Sequence, residues 1–184
     1  MKDDREIELY IPKVEDYWYE EKIKNDFETM EYNAGYNIDI EGYHYDTGCI
    51  DFPKDRWMDT YNKRKKNKVF VAYILDIEKN IFVGTVNYQY NKEKLRYECG
   101  IIIESKHRNQ GYAKKALQEL FKILKNNEIQ DIYDSFEKDR KETYKLFISL
   151  GFEVVEENII NKFRKDIKNI VVRKKIEIKN SEII

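Results

Sequence analysis

Only two cysteines occur in the 184 residues, Cys49 and Cys99, far apart and without metal-like spacing. That argues against a disulfide framework and leaves buried thiols as the default. His44 and Cys49 are too few to hold a metal, and His107 reads as a turn residue; no metal is expected. No run approaches the roughly 18 apolar residues of a membrane span. The start, MKDDREIELY, lacks the apolar stretch of a signal peptide. A dominant charge is missing too. With 34 Lys/Arg against 35 Asp/Glu the net is −1, so no global field draws the chain to nucleic acid. Neither G-x-x-x-x-G-K-[ST] nor G-x-G-x-x-G occurs, which speaks against a P-loop or dinucleotide site. Repeats and low-complexity linkers are absent as well. The expectation is a soluble, cytoplasmic protein with neither membrane nor nucleic acid as a partner.

What is present is a globular composition. Hydrophobic residues make up 41% and aromatics 14%, enough to build a core despite 38% charged residues. The length suits one domain. Charge is uneven: residues 1–60 hold 17 Asp/Glu against 7 Lys/Arg, and residues 161–184 hold 8 Lys/Arg against 3 Asp/Glu. The basic run 63–68 reads as a solvated helix end.

The chain is organised around residues 98–124. Cys99-Gly100-Ile101-Ile102-Ile103 is short, apolar and β-branched, as in a covered strand. A turn follows at 108–113. Then Ala113, Ala116, Leu117, Leu120, Phe121 and Leu124 recur at three- and four-residue spacing, with Lys114, Lys115, Gln118, Glu119, Lys122 and Lys125 on the other face. A helix that starts directly out of a turn aims unpaired N–H groups and a positive dipole end forward, which makes an anion site suited to phosphate. Gly111 lets the backbone approach that anion without a Cβ.

Arg108-x-x-Gly111-x-Ala113 resembles the Gln/Arg-x-x-Gly-x-Gly/Ala signature of the GNAT superfamily of acyl-CoA-dependent N-acyltransferases. About forty residues later, Leu150-Gly151-Phe152-Glu153-Val154 resembles the family's second landmark, a helix ending in Gly-Phe before a strand. The resemblance covers roughly 69–155 by pattern and the N-terminal third by element order.

In chain order the patterning gives a strand up to Pro12, helices over 13–25 and 27–32, and a glycine- and aromatic-rich loop over 33–52 that reads as functional or mobile. A helix runs from Pro53 to about 66, and strands over 69–77, 81–90 and 96–103 follow. After the central helix to 126 come a strand over 129–136, a helix over 141–150 and a hairpin of 152–160 with 167–178. The tail 179–184 reads as frayed. This order matches the fold that the resemblance implies. It is an α/β (α+β) fold with a mixed, mostly antiparallel, splayed sheet of about seven strands, flanked by about four or five helices. The single domain 1–184 would divide into acceptor-side helices and loop (13–66), an acetyl-CoA-binding core (69–155) and a C-terminal hairpin (152–178).

The resemblance also implies roles. Main-chain N–H groups of Asn109, Gln110, Gly111, Tyr112 and Ala113 would cradle the pyrophosphate of acetyl-CoA, with charge added by Arg108. Ile101, Ile102 and Ile103 would pair with the pantetheine arm through main-chain atoms. Glu98, 13 residues before Gly111, corresponds to a glutamate that many relatives place beside the reacting amine. Freeing a lysine-type amine at pH 7 costs about 4.6 kcal/mol, and a carboxylate, directly or through water, can take that proton; a strand-end salt bridge is the other reading of Glu98. Asp134 and Ser135 are weaker candidates. Many relatives carry a tyrosine four residues before the Gly-Phe glycine to protonate the leaving thiolate, but this chain has Phe147 there. Tyr144 or Thr143 could substitute. Arg140 stands where relatives often carry asparagine and could contact a CoA phosphate.

Glu31, Asp39, Glu41, Asp46 and Asp51 are interleaved with Tyr32, Tyr36, Tyr43, Tyr45 and Phe52 in the region where relatives build the acceptor site. This suggests a cationic amine acceptor, or simply a solvated acidic surface. The expectation is N-acetyl transfer from acetyl-CoA to a primary amine in a ternary complex. The alternative is a CoA-binding module with little chemistry. A homodimer is left open.

Overall fold

Branched and aromatic runs make the strands, and the helices lie where apolar residues return every three or four positions. The computed structural model describes residues 5–178, so the tail expected to fray lies outside the described residues. The strands are β1 (Ile7–Tyr10), β2 (Phe70–Asp76), β3 (Ile81–Asn91), β4 (Arg96–Ile103), β5 (Asp131–Glu137), β6 (Glu153–Lys162) and β7 (Lys165–Lys175). The helices are α1 (Trp18–Lys24), α2 (Phe27–Met30), α3 (Trp57–Asn67), α4 (Tyr112–Asn126) and α5 (Lys141–Ser149). The helix expected from residue 13 opens with a 3₁₀ turn over Val14–Tyr17 before α1 begins.

One sheet holds all seven strands in the order β1-β2-β3-β4-β5-β7-β6. Every neighbouring pair is antiparallel except β4 and β5, which are parallel with α4 as the crossover. One face of the sheet is covered by α4 and α5. Ala116, Leu117, Leu120 and Leu124 of α4 and Phe147 of α5 pack there with Ala72, Ile74, Val86, Cys99, Ile132 and Phe136 from the strands. Alternation along each strand sends the intervening residues to the other face. There Tyr73 meets Tyr19 and Ile23 of α1, while Tyr17, Phe52 and Trp57 form a second aromatic cluster.

The loop over 33–52 is fastened to the β6–β7 hairpin. That hairpin turns on Phe163 and Arg164, both at positive φ (49° and 58°). The Phe163 N–H donates to the Gly35 carbonyl at 2.8 Å, and a Cβ on Gly35 would lie 2.5 Å from the Phe163 ring. Lys162 donates to the Tyr32 carbonyl and to Glu137, which also accepts from the Tyr36 hydroxyl at 2.6 Å. The loop of the sequence reading is therefore a clamped roof over one end of the sheet, held by side chains more than a hundred residues away.

Candidate active site

β3 and β4 pair along eight positions, from Asn91–Arg96 to Gly84–Ile103. β4 and β5 pair at one, Glu98–Tyr133. Beyond that point the two parallel strands diverge, and the main-chain groups of residues 99–103 that face β5 have no strand opposite them. A cavity of about 710 Å³ fills the gap. Gly100, Ile101, Ile102 and Ile103 line one wall and Asp134, Ser135, Phe136 and Glu137 the other; Arg140, Thr143, Leu146 and Phe147 of α5 close one side. At its head lies the turn into α4.

That turn has the backbone of an anion cradle. Asn109 and Gly111 both adopt left-handed conformations (φ 59° and 84°), and Gly111 is the residue before α4. The first N–H of the helix to find an acceptor is that of Lys115, bonded to the Gly111 carbonyl at 3.3 Å. Among the described residues, the N–H groups of Asn109 through Lys114 have no acceptor. Donors at a helix head without an intrahelical partner are open to a ligand, and the helix dipole favours a negative one. The turn is also held from outside. The Arg108 guanidinium donates to the Thr29 carbonyl at 2.8 Å, and Tyr112 turns its ring into the core, where its hydroxyl bonds Asp76 at 2.5 Å and accepts from Lys79 at 3.1 Å.

The family model described as "Acetyltransferase (GNAT) family" matches residues 32–152, about two thirds of the chain. This chain belongs to the GNAT acetyltransferase family. No curated protein matches it. Among solved structures it is similar to a putative acetyltransferase from Salmonella typhimurium crystallised with acetyl-CoA, at 13% identity and a TM-score of 0.70, covering 95% of this chain and 96% of that one. It is also similar to a ribosomal-protein-alanine N-acetyltransferase from Brucella melitensis, at 16% identity and a TM-score of 0.69, covering 92% and 99%. A spermidine N-acetyltransferase chimera from Vibrio cholerae gives 16% and 0.69, covering 91% and 94%. At these identities the likeness is one of fold, and the acceptor is not carried over with it.

Every residue expected on the cofactor side lines the gap: Ile101, Ile102, Ile103, Arg108, Asn109, Gln110, Gly111, Tyr112, Ala113 and Arg140. The two expected catalytic residues do not. Glu98 sits at the apex where β4 and β5 part. It accepts from Asn91 at 2.9 Å, Lys94 at 3.2 Å, and Arg96 through Nε at 2.9 Å and a second nitrogen at 2.8 Å. Burial alone would raise its pKa, but these donors outweigh it and hold the carboxyl below its usual value. That makes Glu98 a poor proton acceptor, and the strand-end salt-bridge reading is the one its surroundings match. We expect Glu98→Gln to change kcat at pH 7 by less than about twofold and to cost on the order of 1 kcal/mol of stability. A depressed folded pKa stabilises above the unfolded value near 4.3, so this cost should shrink as pH falls through the lower folded pKa. Denaturant melts of both proteins between pH 3 and 7 check it, and a kcat loss above about tenfold would restore the base role.

Tyr144 is 41% exposed and lies outside the cavity. The inward position of α5 belongs to Phe147, packed on Phe136 and Phe152 at 5.2 and 4.8 Å between ring centres. A residue three places earlier is rotated off that line by the helical pitch, and Thr143 and Leu146 take the flanking inward places.

The sequence ranked Asp134 low, yet it alternates with Ile132 and Phe136 and so projects on the α5 side of the gap. Burial pushes its carboxyl up to about 7, against the Ser135 N–H bond and the Arg140 charge, while Glu98 across the apex raises it further. The two carboxyls flanking the apex are thus driven in opposite directions, Glu98 down and Asp134 up. The acidic residues of the N-terminal third do not gather. Asp39 and Asp46 are exposed, Glu41 pairs with Arg56, and Asp51 pairs with His44. Only Glu31 and Tyr32 reach the gap, with Arg140 stacked over the Tyr32 ring. Among the described residues there is no metal-ligand cluster, and no helix is long and apolar enough to cross a membrane.

Proposed function

We propose that this acetyltransferase moves the acetyl group of acetyl-CoA to a primary amine by direct attack in a ternary complex. The observation that carries the reading is the β4–β5 gap opening onto unbonded main-chain donors at the head of α4. In this reading the N–H groups from Asn109 to Lys114 hold the diphosphate, and Arg108 and Arg140 add charge. The unpaired edge of Ile101–Ile103 meets the pantetheine arm as a strand would. Each hydrogen bond to the charged phosphate contributes about 1.5–3 kcal/mol.

Transfer without an acetyl-enzyme is supported by Cys99. Its thiol is buried on the α4 face, and burial pushes its pKa well up, so a thiolate nucleophile is disfavoured. Proton transfer at the thioester we assign to Asp134. A carboxyl near pH 7 is partly protonated under working conditions, as a general acid needs to be. It stands on the same side of the gap as Phe147, whose ring can donate no proton. The amine nitrogen attacks the carbonyl carbon, the C–S bond breaks, Asp134 gives its proton to the sulfur, and the ammonium proton leaves to solvent.

A second reading, coenzyme binding with little chemistry, is favoured by Phe147 alone. A panel of amines with acetyl-CoA, followed by release of the free CoA thiol, separates the two. We expect at least one amine to raise thiol release well above hydrolysis. Tight coenzyme binding with no amine-dependent release would sink the transferase reading.

A further inference from the structure

A second cavity, of about 350 Å³, lies on the face of the sheet opposite α4, between α1, α3 and strands β2 to β4. Ile102 and Asn87 border both cavities, so the two adjoin at the strand where the thioester would lie. Asn87 and Gly100 pair across β3 and β4 at this junction, and a Cβ on Gly100 would lie 3.1 Å from the Asn87 amide nitrogen.

The charge in this second cavity is unbalanced. Glu20 is its only carboxylate among the described residues, against Lys24, Arg64 and Lys63. Glu20 is buried and already saturated. Arg64 donates to both its oxygens, at 2.6 and 2.7 Å, and Lys24 approaches one of them at 3.2 Å. Two cations thus share one anion at the cavity wall, and Lys63 at the rim makes no ion pair among the described residues. A surplus positive charge held in a partly desolvated wall is costly until an anion meets it. A polyamine entering here would find no carboxylate oxygen to accept its ammonium groups and would face three cations. Burial above all, with the neighbouring guanidinium, depresses the Lys24 pKa even against the Glu20 carboxylate that raises it.

We propose that this cavity is the acceptor pocket and that it takes a small amine which also carries an acidic group, a carboxylate or a phosphonate, seated against Lys24 and Arg64 with the amine directed past Asn87 toward Gly100. The inference rests on the acetyl-transfer reading for the amine's role, but the charge preference can be measured without turnover. The volume suits a small molecule, and the acid and the amine then occupy opposite ends of one cavity, so the acid positions the nucleophile.

The test is calorimetric titration of the CoA-saturated protein with β-alanine, 4-aminobutyrate and 2-aminoethylphosphonate, each against its neutral amide or ester, and with spermidine. At least one acid is expected to bind about tenfold or more tighter than its neutral partner, and spermidine more weakly than either. The acid with the largest ratio names the headgroup. Lys24→Met should collapse the acid-to-neutral ratio and Lys24→Arg should keep it; in both variants Arg64 still pairs both Glu20 oxygens, so the buried carboxylate keeps its partner. Neutral partners or spermidine binding as tightly as the acids would overturn the proposal, as would an acid preference that Lys24→Met leaves intact. Thiol release in the same samples judges the transfer reading separately. Acids that bind tightly yet accept no acetyl group would remove the transfer reading and leave the anion pocket standing. Acetylation confined to spermidine would remove the pocket and leave transfer standing.

Discussion

Gly111→Val is expected to raise the Kd for acetyl-CoA by about 100-fold or more. Gly111 holds φ at 84°, in the region where a Cβ crowds the following carbonyl, and valine adds a branch at that carbon. The backbone relieves the clash by rotating toward negative φ, and the N–H vectors of Gly111 and Tyr112 rotate with it. Those are two of the donors that reach past Arg108 without any acceptor of their own. Losing two hydrogen bonds to a phosphate, at about 1.5–3 kcal/mol each, gives 100-fold at the least, since about 1.4 kcal/mol is a factor of ten. The left-handed penalty of about 1–2 kcal/mol is small beside the typical 5–15 kcal/mol of a domain, so the variant should still fold. Its melt in the absence of coenzyme verifies this. Gly111→Ala, with one carbon added, should fall between valine and wild type. A Kd unchanged in a folded valine variant would mean that the diphosphate is held elsewhere.

The same turn marks how far the sequence could be read. The strand–turn–helix unit from Cys99 to Leu124 is local: its branched run, its glycine and its three-four periodicity are all contiguous, and the structure reproduces them. The cavity lining expected from Asn109 to Ala113 follows from it, because main-chain donors need only the turn to be in place. What depended on distant partners was not legible. Glu98 matches the family position, but Lys94 and Arg96, its near neighbours, and Asn91 across the hairpin capture it. Their proximity in sequence was visible; their convergence on one oxygen pair was not. Tyr144 failed on phase, since α5 turns Phe147 inward. The acidic N-terminal third suggested an ammonium cage, yet the carboxylate buried there is Glu20, whose partner Arg64 lies on another helix 44 residues away. A pairing of that range carries no local signature.

Asp134→Asn is expected to lower kcat by about 100-fold, within the usual range for loss of a positioned acid or base. The wild-type rate should rise with pH as the amine is freed, then fall above about 7 as Asp134 loses its proton. The asparagine variant should keep the rise and lose the fall. Stability should move the other way. Asp134's carboxyl is raised from near 3.8 to about 7 by burial, so the folded state prefers it protonated. Its favourable contribution is fully present below the unfolded value and is lost as pH climbs through about 7. At pH 8 the wild type carries a half-buried charge that asparagine does not, and the variant should be more stable by on the order of 1–2 kcal/mol after solvent screening in the open gap. A substitution that slows catalysis and yet stabilises the fold could not be explained by packing alone. Here removal should slow the enzyme while strengthening the fold, the opposed pair of changes expected where strain is held at a working site. A falling limb that persists in the variant would move the proton donor away from β5. Loss of the rising limb instead would make Asp134 the acceptor of the amine's proton, on the same strand but at the opposite step.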